Sequence, residues 1–217
     1  MANLKEVRIR IASVTSTQQI TKAMKLVSAT KLRRAQNAIT LMRPYAAKLN
    51  GILSNLSDSI DVESLKVYFD ARPINNVLIV VITSDRGLCG SFNANVIKLA
   101  NKTIAEKYAS QKVNGGVSVL GIGKKGHEYF SKQSFNYIDT FKESLLTANA
   151  ETGFNIGEFI LSSFKAGKFD AVEIVYNQFK NAATQILSAE QFLPFDTAGL
   201  VVNSGKKNDY LFEPNKE

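Results

Sequence analysis

Cysteine, histidine and long apolar runs are the scarce features of this chain. Its single cysteine, Cys89, excludes an internal disulfide framework and any Cys-x-x-Cys metal pattern, and suits a reducing compartment. Its single histidine, His127, removes most metal sites and reads as an exposed helix residue. No stretch approaches the roughly 18 uncharged apolar residues that a membrane-crossing helix requires. The opening MANLKEVRIR scatters charges among apolar residues and lacks the apolar core of a secretory signal. The chain is therefore expected to be soluble by itself. With 45% hydrophobic residues over 217 positions it has enough material for a real core and does not read as disordered.

Acidic residues are almost missing from the first fifty positions. That segment holds ten Lys and Arg against one acid, Glu6, a net +9, whereas the remaining 167 residues hold 17 basic and 18 acidic side chains, a net −1. All of the excess positive charge sits at one end, which calls for an acidic partner: nucleic acid, an anionic membrane surface or an acidic protein face.

What occupies that end is helix-forming sequence. ITKAMKLVSATKLRRAQ, Ile20 to Gln36, carries Lys22, Lys25, Lys31, Arg33 and Arg34 without an acid and without Pro or Gly. From Asn3 to about Leu56 there is one proline, Pro44, and one glycine, Gly51. This predicts one helix or two nearly collinear ones, roughly 80 Å in length, with Pro44 as the expected kink. A compact domain of this size does not need so long a rod, so much of it is expected to project. Leu4, Val7, Ile11 and Val14 form a stripe with coiled-coil spacing. Ile20, Ala23, Met24 and Val27, then Leu41, Met42, Leu49, Ile52, Leu53 and Leu56, fall on roughly the opposite side, with Leu26 and Leu32 off both stripes. A helix that wants apolar contact on several sides is surrounded or changes partners along its length. It lacks the clean apolar face with Trp or Phe of a membrane-surface helix, and the dense basic block beside a regular zipper of a DNA-binding one. A protein partner is favoured.

Residues 57–73, SDSIDVESLKVYFDARP, are polar and acidic and suit a connecting loop. Strands are then expected at Asn76–Thr83, Val117–Gly121, Phe135–Phe141, Ala171–Phe179 and Thr184–Leu193, the last two joined by a turn at Lys180–Ala183. Helices are expected at Ser91–Lys112, Lys124–Lys132 and Thr152–Lys165. The alternation implies an α/β fold, an open and mostly parallel Rossmann-like sheet of about five strands ending in an antiparallel hairpin, attached to the long N-terminal helix.

Candidate chemistry is thin. TSDRGLCGSFN, Thr83 to Asn93, leaves a strand and enters a helix, where doubly wound folds bind phosphates, but Gly87 and Gly90 do not make GxGxxG, and GIGKKG from Gly121 lacks the final Ser or Thr of a P-loop. Cys89 reads as a nucleophile only if the helix N-terminus and Arg86 lower its pKa; a small residue in a tight turn is the plainer reading. Asp85, Glu128 and Glu173 are not paired by spacing. No catalytic constellation emerges, and no cofactor or metal is called for.

Four blocks of the chain, ITKAMKLVSATKLRRAQ following RIRIASVTSTQQ, ITSDRGLCGSFNANV, YNQFKNAATQ and DYLFEP, resemble in order and separation the gamma subunits of F-type ATP synthases. The resemblance covers Asn3 to Pro214. It implies that residues 1–56 are half of a central rotor shaft inside a ring of alpha and beta subunits, 57–73 a linker, and 74–196 a foot domain. It further implies that 197–217 is a tail that stops short of a second shaft helix. It implies partners in the alpha, beta and epsilon subunits and the membrane rotor ring, with no nucleic acid, and a place on the cytoplasmic face of the bacterial inner membrane held only through the complex. Carried onto this sequence, contact with the catalytic head falls to Arg8, Arg10, Ile11, Ile20, Lys22, Met24, Lys25, Lys31, Arg33 and Arg34, and to the loop Asp85, Arg86, Gly87, Leu88, Cys89 and Gly90. Tyr210, Phe212 and Glu213 fall on the foot and ring side. The implied role is non-catalytic: coupling proton-driven rotation to ATP synthesis and regulating ATPase activity. A nucleic-acid-binding module and a Rossmann-like nucleotide-binding enzyme stand as alternatives, separable by the salt dependence of nucleic-acid affinity and by nucleotide binding.

Overall fold

The structure, a computed structural model, describes residues 3–57, 66–147 and 149–195. They fall into two compact units, a helix and an α/β unit, described separately below.

The first unit is α1, Leu4–Ser57, 54 residues long. Asn3 opens it: its side-chain oxygen accepts from the Lys5 N–H at 3.2 Å and its carbonyl from the Val7 N–H at 3.1 Å, satisfying donors left over at a helix start. Glu6 in the first turn meets the positive end of the helix dipole. The helix runs on through Pro44, so the sequence forms one helix and not two. One lost backbone donor is outweighed by the helix-forming sequence on both sides of it. From Asn3 to Asn50 every residue except Gln36 is exposed, including Met24 at 60% and Leu41 at 78%.

The second unit is built on a five-stranded sheet: β1 (Val77–Ile82), β2 (Val117–Ile122), β3 (Asn136–Ile138), β4 (Ala171–Phe179) and β5 (Gln185–Leu193). Its order is β3-β2-β1-β4-β5, with every pairing parallel except β4 with β5. Helices α2 (Phe92–Lys107), α3 (Ala109–Val113), α4 (Lys124–Phe130) and α5 (Ala150–Lys165) make the crossovers, together with a 3-10 turn at Ser144–Thr147. Because side chains alternate along a strand, the β-branched run of β1 serves two cores at once. Val77, Ile79 and Val81 pack with Val96, Ala100 and Ile104 of α2. Leu78 and Val80 pack with Ile160 and Phe164 of α5. A strand buried on both faces has no polar alternation, which is how its sequence reads.

Three details depart from the sequence expectation. The helix predicted over Ser91–Lys112 breaks at Tyr108, leaving α2 and α3, because that side chain turns inward to a buried carboxylate described below. The third strand keeps only Asn136–Ile138 of the predicted Phe135–Phe141, since β2 offers it three register partners. Residues 66–72, read as part of a connecting loop, pack against the sheet unit. The Arg72 guanidinium lies 4.4 Å above the Phe164 ring, donates to the carbonyls of Phe164 (3.0 Å) and Phe169, and sits beside Asp170. Tyr68 stacks on Phe164, and its carbonyl accepts from the Phe195 N–H at 2.8 Å.

The final hairpin forms where expected. Asn181 turns the chain by accepting from the N–H groups of Ala183 and Thr184 at 3.0 and 2.8 Å, an Asx-turn arrangement.

Candidate functional site

The expected contact residues lie in two places, one in each unit. On α1, Arg8, Arg10, Ile11, Ile20, Lys22, Met24, Lys25, Lys31, Arg33 and Arg34 are all exposed. Among the described residues no ion pair engages Lys22, Lys25, Lys31, Arg33 or Arg34. At about 100° per residue these five fall at about 0°, 300°, 180°, 20° and 120° around the axis, taking Lys22 as origin. They encircle the helix. No single docked surface can reach all of them at once.

The second place is the loop from Ser84 to Ser91, between β1 and α2. Its tip is exposed from Arg86 to Gly90. Leu88 and Gly90 both have left-handed backbones, with φ of 62° and 59°; the glycine adopts this freely, whereas the leucine is uncommon there. Leu88 is nevertheless fully exposed. The base of the loop is braced by Asn93 from the first turn of α2. Its Oδ1 accepts from the Ser84 N–H at 2.9 Å, and its Nδ2 donates to Ser84 Oγ at 2.9 Å and to Cys89 Sγ at 3.2 Å. Ser84 Oγ in turn donates to the Arg86 carbonyl at 2.7 Å. Cys89 is thus an exposed thiol inside a polar brace.

Asp85 points the other way. Its Oδ1 accepts from the Lys124 N–H at 3.1 Å, and Thr83 Oγ1 accepts from the Gly126 N–H at 2.7 Å. Gly123, with φ 98°, brings its backbone so close that an added Cβ would lie 2.3 Å from the Thr83 carbonyl oxygen. The amides at the start of α4, where GIGKKG suggested a phosphate cradle, are therefore occupied by this chain's own carboxylate and hydroxyl. The pattern is structural: it ties the loop after β2 to the loop after β1.

Other candidates also resolve into structural roles. His127 is half-buried, not exposed as expected: Nδ1 lies 3.2 Å from the Tyr137 hydroxyl and the two rings are 5.3 Å apart. Asp85, Glu128 and Glu173 engage different partners, namely Lys124 N–H, Lys125 at 2.6 Å, and Lys107 at 2.8 Å. Glu128 is held below the ordinary carboxylate range chiefly by its bond from Lys125. Tyr210, Phe212 and Glu213 lie outside the described residues. Among the described residues no helix is long and apolar enough to cross a membrane, and no cluster of His, Cys, Asp and Glu suits a metal ion.

Sequence reasoning missed Asn93, Asn177 and Arg72, and it named Glu173 without its partners Lys107 and Tyr108. An acid inside AVEIVYNQF, a strand otherwise destined for burial, was the available signal for that group.

The α1 cations Lys22, Lys25, Lys31, Arg33 and Arg34 thus lie exposed and without ion pairs among the described residues, and the braced loop holds Leu88 out in solvent. The chain belongs to the gamma-chain family of ATP synthase. The family model described as ATP synthase matches residues 3–217. The ATP synthase gamma chain of Cytophaga hutchinsonii is 48% identical over 219 residues, spanning 100% of this chain and 74% of that one. That of Flavobacterium psychrophilum is 49% identical over 219 residues, spanning 100% and 73%, and that of Chlorobium chlorochromatii 40% identical over 215, spanning 99% and 73%. Solved structures share the fold. The central stalk and c-ring of Tetrahymena thermophila mitochondrial ATP synthase contain a chain with a TM-score of 0.56 at 24% identity, covering 88% of this chain and 80% of that one. The rotor of the Euglena gracilis enzyme contains one at 0.52 and 19%, covering 97% and 70%. These relatives support neither the nucleic-acid module nor the nucleotide-binding enzyme.

Proposed function

We propose that this chain is the rotating central-stalk subunit of an F-type ATP synthase, in which it carries out no bond chemistry. In this reading 1–56 is the shaft, 57–73 the linker, 74–196 the foot, and 197–217 the tail. Arg8, Arg10, Ile11, Ile20, Lys22, Met24, Lys25, Lys31, Arg33 and Arg34 meet the alpha and beta subunits, and the loop Asp85 to Gly90 meets the lower rim of the same collar. Tyr210, Phe212 and Glu213 belong to the side facing the epsilon subunit and the membrane ring. The complex lies on the cytoplasmic face of a bacterial membrane, and the chain reaches that membrane only through it.

The observation that carries the reading is the ring of five cations, without ion pairs among the described residues, around an exposed helix. A shaft that turns inside acidic loops must present a partner at every angle, and each contact must be weak enough to release. Solvated ion pairs of about 0 to 1 kcal/mol meet both conditions. Rotation then favours a different nucleotide state in each catalytic site in turn.

The test is reconstitution with separately purified alpha and beta subunits, using this chain and a version extended by a relative's C-terminal segment. Assembly and stimulated ATP hydrolysis are expected, both falling when Lys22, Lys25, Lys31, Arg33 and Arg34 are all changed to glutamate. Unchanged assembly and hydrolysis by that variant would overturn the role given to these charges.

A further inference from the structure

Helix α2 carries the braced loop at its start, and β4 holds that helix at both ends through polar side chains. At the start, Asn177 Nδ2 donates to the Phe92 carbonyl at 2.9 Å. At the end, Glu173 Oε1 accepts from Lys107 Nζ at 2.8 Å and from the Tyr108 hydroxyl at 2.9 Å. Between the two ties Val175 lies in the same apolar cluster as Val96, Ala100 and Ile104 of α2.

Glu173 is fully buried, and its Oε2 is buried without a hydrogen-bond partner among the described residues. A carboxylate in that position is a poor choice for stability alone, since burying charge is costly and a well-packed apolar side chain commonly does as well. What it adds is location. Apolar side chains tolerate small slides of a helix over a sheet, whereas directional bonds at each end do not. The same bond explains the helix break at Tyr108, whose phenol is pushed well above its ordinary value by burial and by Glu173, and so remains a donor.

We infer that Glu173 and Asn177 are positioning residues that fix α2 on the sheet and thereby hold the Ser84–Ser91 loop at a set place. The chain of contacts is continuous: Asn177 to the Phe92 carbonyl, the neighbouring Asn93 to Ser84 and Cys89, and Ser84 to the Arg86 carbonyl. A loop that transmits force must not yield, and this arrangement stiffens it from behind without adding a group to its exposed tip. The inference rests on the proposed contact between that loop and the catalytic head.

Two measurements on the full-length chain separate the clamp from the contact. The first is amide hydrogen exchange over residues 84–95 in Asn177→Leu, the milder isostere Asn177→Asp, Glu173→Leu and Glu173→Gln. Val175→Ala serves as a control that loosens the same strand face without removing a tie. Both Asn177 variants and Glu173→Leu are expected to speed exchange in 84–95 about tenfold relative to the rest of the sheet. Glu173→Gln, whose amide oxygen still accepts from Tyr108, should stay close to the parent, and Val175→Ala should act evenly across the unit. Exchange in 84–95 that is unchanged, or raised no more than by Val175→Ala, overturns the clamp. The second is ATP hydrolysis after assembly with alpha and beta subunits, where the Asn177 variants are expected to lower stimulation and Arg86→Glu to lower it without altering exchange. Faster exchange with undiminished stimulation in Asn177→Asp would leave the clamp standing and overturn the loop's role in coupling.

Discussion

Replacing Arg72 with leucine removes the cation that fastens residues 66–72 to the sheet unit, and the structure sets the size of the effect. Two donated bonds, to the carbonyls of Phe164 and Phe169, are lost together with stacking on the Phe164 ring. Arg72 Nε also lies 2.9 Å from Asp170 Oδ1, but makes no aligned hydrogen bond there, so that contact is ionic. Asp170 is not abandoned, because its Oδ2 still accepts from the N–H groups of Asn75 and Asn76, each at 2.9 Å. The arginine side chain is 29% exposed and Asp170 13%, which places the pair between a solvated and a buried one. The expected cost is about 2–3 kcal/mol, below the full penalty for breaking a buried pair. For a unit of this size that corresponds to a melting point lower by about 6–12 °C. Thermal unfolding followed by near-ultraviolet circular dichroism reads it. Arg72→Lys keeps the charge but loses the fork and the stacking, and is expected to recover less than half of the loss. A fall of under about 2 °C in the leucine variant would refute this reasoning and leave Tyr68 and Phe195 as the true fastening.

Further outcomes are open to measurement. Gly123→Ala must place a Cβ against the Thr83 backbone at a φ of 98°, and urea unfolding should show a loss of at least about 2 kcal/mol. The Tyr137 phenol is pushed up to about 12 by burial and then by the Asp139 charge. Its neutral form therefore favours the fold, so this contribution is complete below pH 10 and fades from pH 10 towards 12. Ultraviolet titration beside Tyr137→Phe checks it: the substitution should delete a late ionisation and leave the earlier ones. Pro44→Ala restores a backbone donor within α1 and is expected to favour the helix by up to about 3 kcal/mol. Slower proteolysis around that position would show it, and unaltered cleavage would count against it.

Where local pattern decides structure, the chain is readable. The run VLIVVI becomes a strand buried on both faces, AVEIVYNQF the full length of β4, and the acid-poor opening a single helix. Failures fall where a partner distant in sequence decides. Tyr108 breaks its helix for Glu173, 65 positions further on. Arg72 looks like loop until Phe164 and Asp170 arrive from α5 and the approach to β4. His127 is drawn inward by Tyr137. The basic character of α1 was legible as charge without acid, because that pattern is local to the helix. The bracing of the loop was not, because Asn93 and Asn177 show no pattern until the start of α2 lies against β4.

The threonines of α1 give its surface a particular texture. The hydroxyls of Thr15, Thr17, Thr21, Thr30 and Thr40 each donate to a carbonyl one turn back, at 2.8 to 3.0 Å. The usual consequence discussed for such bonds is a slight bend. Another follows for anything that wraps the helix. A hydroxyl committed to its own backbone has its only proton engaged, so towards a neighbour it can accept a hydrogen bond but not donate one. A neighbour therefore meets methyl groups and acceptor lone pairs, but no free hydroxyl donor, at these five positions. Residues whose composition suggests two-way hydrogen bonding thus present a one-way surface, which accepts from a neighbour but does not give.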